Sequence, residues 1–365
     1  MYYISDTNRQ EHSYPTYGRQ FPAYKWYKPI LVAILFAVFY LLLYVGLFVV
    51  TSVVQGIRTG SPDLRELMAQ LAMGYDGMDL SDPLQCIYSL GGVALMIPAL
   101  WLASLIVRDR PFSSYSSSRG GWSSKVFWRV FPVAFLCVSI PIMFMELIIH
   151  RQYSNFSIKF TVAGVILLTI LGPLQCIAEE YVFRGLLMQT LGSWIKLPII
   201  AVLLQAVIFA SEHPYNRIGQ VGIFLTGTVF ALSAWMGRGL EVPAAFHICN
   251  NMTIFYLQGL NMTTISSESD MESLILDVCT GALYLIFIFA LSKTTNWFDL
   301  VRKDDLAKAR EKYARKAALK AEKSGASVPV VEEVSAPSEA EPTESSGTSS
   351  AESSTEGYTG KHYKN

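Results

Sequence analysis

Charge is what this sequence most lacks. Only 16% of its 365 residues are Asp, Glu, Lys or Arg, against roughly 25% in an average soluble chain. The charge present gathers at the ends, so the body of the chain is more apolar than its mean hydropathy of +0.33 suggests. Basic and acidic residues balance at 29 each, without the positive excess of a nucleic-acid binder. Cysteine is also sparse. Cys86, Cys137, Cys176, Cys249 and Cys279 stand singly with no Cys-x-x-Cys pair, so neither a zinc knuckle nor a disulfide framework is indicated. They read as small buried apolar residues. No cleavable leader is visible: the first 28 residues are polar and rich in Tyr, and the apolar run behind them is about twice the length of a signal-peptide core.

Apolar runs are what the chain has in abundance. They lie near 29–54, 86–107, 128–149, 161–178, 197–212, 219–236, 242–260 and 274–293, and a spanning helix needs about 20 such residues. The expected fold is therefore all-α, a polytopic membrane helix bundle of about eight transmembrane helices. The fourth run continues into charged sequence over 176–191, and the seventh contains His247, Asn250 and Asn251.

The placement of Lys and Arg orients the bundle. Arg9, Arg19, Lys25 and Lys28 precede the first span, and Arg108, Arg110, Arg119 and Lys125 fill the second loop. The first loop has Arg58 and Arg65 among five acids, and the seventh, 258–273, has no basic residue. Both termini are expected in the cytoplasm, of a bacterial plasma membrane. The domain plan is a cytoplasmic N-terminal tail (1–28), an eight-span domain (29–293, with its motif core at 175–251), a basic juxtamembrane helix (294–323) and a disordered acidic Ser/Thr-rich tail (324–365). Within the first loop, 63–72 reads as a short amphipathic helix. Residues 302–323 carry nine Lys/Arg among alanines, which suits a helix near anionic headgroups. Residues 324–360 carry seven Glu and no basic residue, a composition that stays disordered.

A charge at the centre of a spanning helix costs about 2.5–3.5 kcal/mol on insertion scales, so each one requires a reason. The densest group is Glu179-Glu180-Tyr181-Val182-Phe183-Arg184. Neighbouring residues differ by about 100° around a helix, so the two carboxylates face different ways. Glu180 and Arg184 are four apart and can pair. Glu179, aligned with Gln175 and Phe183, is left unpaired within its own helix and so available as a general acid or base. A plainer reading places both glutamates at the headgroup level, marking a helix end. Phe209 and His213 close the fifth span before Pro214, and His247 and Asn251 share one face of the seventh. Alone, the first is an ordinary interface histidine and the second interhelical hydrogen bonding. Together, a carboxylate with a histidine can take a proton from water, and a histidine with an asparagine amide can hold an oxyanion. The same set could ligate one zinc through Glu179, His213 and His247, and sequence leaves the two chemistries open.

At these residues the chain resembles the CAAX protease and bacteriocin-processing family of intramembrane endopeptidases, also called the abortive-infection family. Its pattern is Glu-Glu-x-x-x-Arg, Phe-x-x-x-His and His-x-x-x-Asn, in that order. All three are present, as Glu179-Glu180 to Arg184, Phe209 to His213 and His247 to Asn251. The resemblance implies that Glu179 activates water with help from His213, and that His247 and Asn251 hold the oxyanion. Glu180 and Arg184 then support the site and Phe209 packs beside it. The cofactor requirement is none or one divalent metal. A cavity between spans four, five and seven is expected, opening towards the cytoplasmic half. The implied substrate is a membrane-associated peptide or lipid-anchored protein, with lipid the other partner and nucleic acid excluded. Two rivals are a non-catalytic scaffold or bacteriocin-immunity protein of the same fold and a proton-relaying transporter. No internal symmetry supports the transporter.

Overall fold

The computed structural model describes residues 1–60, 82–264 and 266–324. Each of the eight apolar runs is a helix: α1 Lys28–Thr59, α2 Pro83–Val107, α3 Ser124–Ile149, α4 Val162–Ile195, α5 Pro198–Ser211, α6 Arg217–Gly237, α7 Glu241–Gly259 and α8 Met271–Thr294. A further helix, α9, covers Asp305–Ser324. Strand is confined, among the described residues, to β1 Tyr2–Tyr3 paired antiparallel with β2 Leu300–Val301. The protein is an all-α polytopic membrane bundle. The helix expected over 63–72 and the acidic stretch beyond 324 lie outside the described residues.

Six of the eight helices are long and apolar enough to cross a bilayer. The other two fall short for different reasons. α5 has 14 residues, about 21 Å of rise against a hydrocarbon core of about 30 Å. α7 is long enough but polar, and protein rather than lipid surrounds it: every residue from Glu241 to Cys249 is buried. The outer helices show the opposite pattern. On α1, Leu41, Leu42, Val45 and Val49 are exposed, an apolar face of the kind that marks contact with a membrane.

One end of the bundle is closed by a polar layer. The first 28 residues, expected as a tail, are folded into it, with His12, Tyr14, Tyr17 and Phe21 buried. Their aromatic side chains supply the buried area that their polar composition conceals. His12 Nδ1 lies 2.7 Å from the Ser118 carbonyl oxygen, and the Ser118 hydroxyl donates to the His12 carbonyl at 2.7 Å. Gly192 of α4 packs so closely on this segment that a Cβ there would stand 2.1 Å from the Pro15 carbonyl oxygen. Arg119 donates to Glu241 at 2.8 Å, and Arg302 donates to the Trp122 carbonyl at 2.9 Å. The chain after α8 therefore meets the N-terminal segment and the second loop in one layer. The opposite end holds the odd connectors together. Asn216 N–H donates to Ser267 O at 3.1 Å and Lys159 N–H to Gly259 O at 3.0 Å.

Candidate active site

α4 brings the charged motif to the middle of the bundle. Its regular α geometry runs to Glu180 and widens to a π-helical stretch over Tyr181–Met188 before continuing to Ile195. Glu180 and Arg184 pair at 3.1 Å with both side chains fully buried. The guanidinium also donates to the Gly227 carbonyl at 3.2 Å and lies 4.4 Å from the Phe209 ring centre and 4.9 Å from that of Phe230. Phe209 is 2% exposed and also meets the Phe183 ring edge-on. Glu180 and Arg184 thus form the floor of the site.

His247 joins this floor to Glu179. Its Nδ1 is 2.9 Å from Glu180 Oε1 and its Nε2 is 3.6 Å from Glu179 Oε2. Glu179 Oε1 accepts from Gln175 Nε2 at 2.6 Å, while Oε2 is buried without a hydrogen-bond partner. Gln175 Oε1 in turn accepts from Asn251 at 3.3 Å, and Asn251 Oδ1 accepts from Asn250 at 3.1 Å. A line of polar groups therefore runs from α7 through Gln175 to the carboxylate. Sequence reasoning placed Gln175 beside Glu179 but assigned it nothing, and it gave Asn250 no role. The signal for Gln175 was its position four residues before Glu179.

His213 lines the same cavity but stands apart from the pair. Its Nδ1 lies 2.7 Å from the Phe209 carbonyl, which accepts the proton there, and its ring rests on Phe209 at 4.6 Å. Among the described residues, no hydrogen bond links it to Glu179 or His247. The cavity is about 420 Å³ and takes its walls from Tyr88 of α2, Glu179 of α4, Phe209 of α5, Thr226 of α6, and His247 and Asn251 of α7. α6 and α2 thus join α4, α5 and α7 around it.

The cavity runs the opposite way from the sequence expectation. Beyond Glu179 and His247 its lining continues to Phe255, Tyr88 and Tyr215, towards the end remote from the termini. The reason is the length of α4. The apolar run over 161–178 and the charged sequence expected to continue it over 176–191 form one helix, which the π turn carries on to Ile195. The glutamates therefore lie in mid-helix, and the short α5 ends beside them.

A zinc ion does not fit this arrangement. Among the described residues, no three His, Cys, Asp or Glu side chains gather closely enough to hold one metal. His213 stands apart from Glu179 and His247, its Nδ1 bonded to the Phe209 carbonyl.

Helices and cavity together define the class: an integral membrane protein with ionisable side chains gathered at a cavity inside the bundle. Residues 160–253 match the family model described as Rce1-like, type II CAAX prenyl endopeptidase. The matched stretch runs from the start of α4 into α7 and contains all three motifs, in agreement with the resemblance they carry. A Bacillus subtilis (strain 168) protein described as uncharacterized protein YyaK is 31% identical over 188 residues. That similarity covers 47% of this chain and 61% of the relative's length. No solved structure matches the chain significantly.

Proposed function

We propose that the chain hydrolyses a peptide bond of a membrane-associated peptide or lipid-anchored protein, with Glu179 as the base. The observation carrying this reading is Glu179 Oε2, buried without a hydrogen bond and 3.6 Å from His247 Nε2, at a cavity that amide and imidazole groups also line. Glu179 takes a proton from water as the water oxygen bonds to the scissile carbonyl carbon. His213, whose Nε2 is left as an acceptor once Nδ1 donates to Phe209, orients that water. His247 and Asn251 hold the oxyanion that forms. Glu179 then returns the proton to the departing amine as the C–N bond breaks. With both nitrogens protonated, His247 joins Arg184 in balancing the two carboxylates. Glu180 and Arg184 keep the imidazole in place.

The substrate must be extended where it is cut, because a helical peptide in lipid has every backbone group satisfied internally. Both termini lie on the cytoplasmic side, and the cavity faces the outer half of a bacterial plasma membrane. The antiparallel pairing of Tyr2–Tyr3 with Leu300–Val301 supports termini on one side, and the basic even loops support the sign. The test is a comparison of protein and peptide termini in cells lacking this gene, complemented with wild type or Glu179→Gln at equal expression. Termini that return only with wild type support the proposal and name the substrate class. An identical pattern from both versions overturns it in favour of a non-catalytic scaffold.

A further inference from the structure

Away from the active site, a recess of about 470 Å³ lies at the polar end of the bundle, between the C-terminal ends of α6 and α8 and the N-terminal segment. Arg9, Arg238 and Lys293 line it, with Asp299 as its single acid. Asp299 is already engaged, accepting from Arg238 at 3.2 Å. Among the described residues, Arg9 pairs at the surface: Asp6 lies 3.2 Å away and is 93% exposed, a pair of little strength in water. Lys293 sits over the Phe289 ring at 5.5 Å. The recess therefore holds more positive than negative charge.

Arg238 shows that this charge is constrained. It takes the left-handed conformation at φ 55° just past α6, where glycine is the residue without strain. Its guanidinium is pushed below its ordinary pKa, first by burial and further by the nearby charges of Arg9 and Arg119, against the pull of Asp299. A buried cation repelled by its neighbours is a place where an anion is stabilising.

The remaining wall of the recess is apolar, with Trp235 half-buried and Phe289 56% exposed on the outer face of α8. Cations at the end of spanning helices above an exposed apolar face match the two parts of a phospholipid. We propose that this recess binds an anionic phospholipid, its phosphate held by Arg9, Arg238 and Lys293 and an acyl chain lying along Phe289. A lipid there would tie the N-terminal segment to α6 and α8.

The test uses the full chain in mild detergent, with retained lipid counted by native mass spectrometry. The probes are phosphatidylglycerol and phosphatidylcholine of identical acyl chains, and inorganic phosphate in a parallel arm. Arg9→Gln combined with Lys293→Gln changes two exposed side chains, and an unchanged thermal midpoint without added lipid confirms that the variant is folded. Wild type is expected to retain phosphatidylglycerol about tenfold over phosphatidylcholine, and the double variant to fall to parity. Equal retention of both lipids by wild type overturns the proposal. So does a preference that survives in the variant, which would place the lipid on other cations such as those of α9. Displacement of the lipid by millimolar inorganic phosphate would show a site for the soluble anion and would also overturn it.

Discussion

Arg184 is fully buried, and Glu180, the acid it pairs with among the described residues, is equally so. Removing one member of such a pair strands the other charge, at a cost of about 3–5 kcal/mol. Arg184→Ala should therefore lower the thermal midpoint in detergent sharply and reduce the yield of folded protein. Arg184→Lys should restore only part of the loss, because an ammonium cannot bond Glu180 and the Gly227 carbonyl from one planar fork. Gln175 should behave differently. Its amide connects Asn251 to Glu179, so Gln175→Leu keeps the volume of the side chain and removes the connection. The expected outcome is a loss of roughly tenfold in kcat with KM unchanged, and a thermal midpoint near wild type. A change in KM alone would instead make Gln175 part of the substrate wall. The glutamates and Arg184 were legible in the sequence because charge inside an apolar run is costly and therefore informative. Gln175 and Asn250 were not, since an amide in a membrane helix is ordinary until its partner is known. The isolation of His213 from Glu179 depends on where α5 stops, and no residue spacing reports that.

At the scale of elements, α3 and α8 are tied at the end remote from the termini by His150. Its ring nitrogens lie 3.6 Å from Glu146 and 3.2 Å from Glu272. Slight burial pulls the imidazolium down, but the hydrogen bond to Glu272 and the two nearby carboxylates outweigh it and hold its pKa above the ordinary 6.5. A histidine raised on folding contributes stability that is complete below the unfolded value and disappears as pH rises through the folded one. His150→Gln should therefore melt below wild type well under pH 6.5 and match it in alkaline buffer. A gap that persists in alkali would mean that the ring acts by packing rather than by charge. The site is exposed, so the difference will be small. The eight helices were legible from apolar runs alone, which is why their order and, apart from the C-terminal end of α4, their approximate limits agree with the structure. The π turn of α4 was not, because no residue pattern in Tyr181–Met188 distinguishes it from a regular helix. Nor was the folding of residues 1–28, whose polar average hides Tyr14, Tyr17 and Phe21.

For the whole molecule the decisive quantity is which face of the membrane the cavity serves. The connector at Asn216 and the loop at Asn155 belong to one end, through Asn216 to Ser267 and Asn261 to Asn155. Residues 1–21 and the start of α9 belong to the other, where Leu306 packs with Tyr17 and Phe21. Four of the five cysteines are buried, so Cys279→Ser leaves little reactive background. In that variant, Asn155→Cys should react in intact cells with a maleimide that cannot cross the membrane. Lys308→Cys should react only after the membrane is opened. That result would put the cavity end outside and make its substrate an exported or outer-leaflet peptide. The reverse would mean that the basic residues of the even loops are held by the fold and not by the orientation rule. Arg119 shows how that could arise, because its charge is spent on Glu241 inside the protein and is not free to report a side. Arg9, Lys25 and Lys28 have no such buried partner among the described residues, and their weight is what supports the proposed outward-facing cavity.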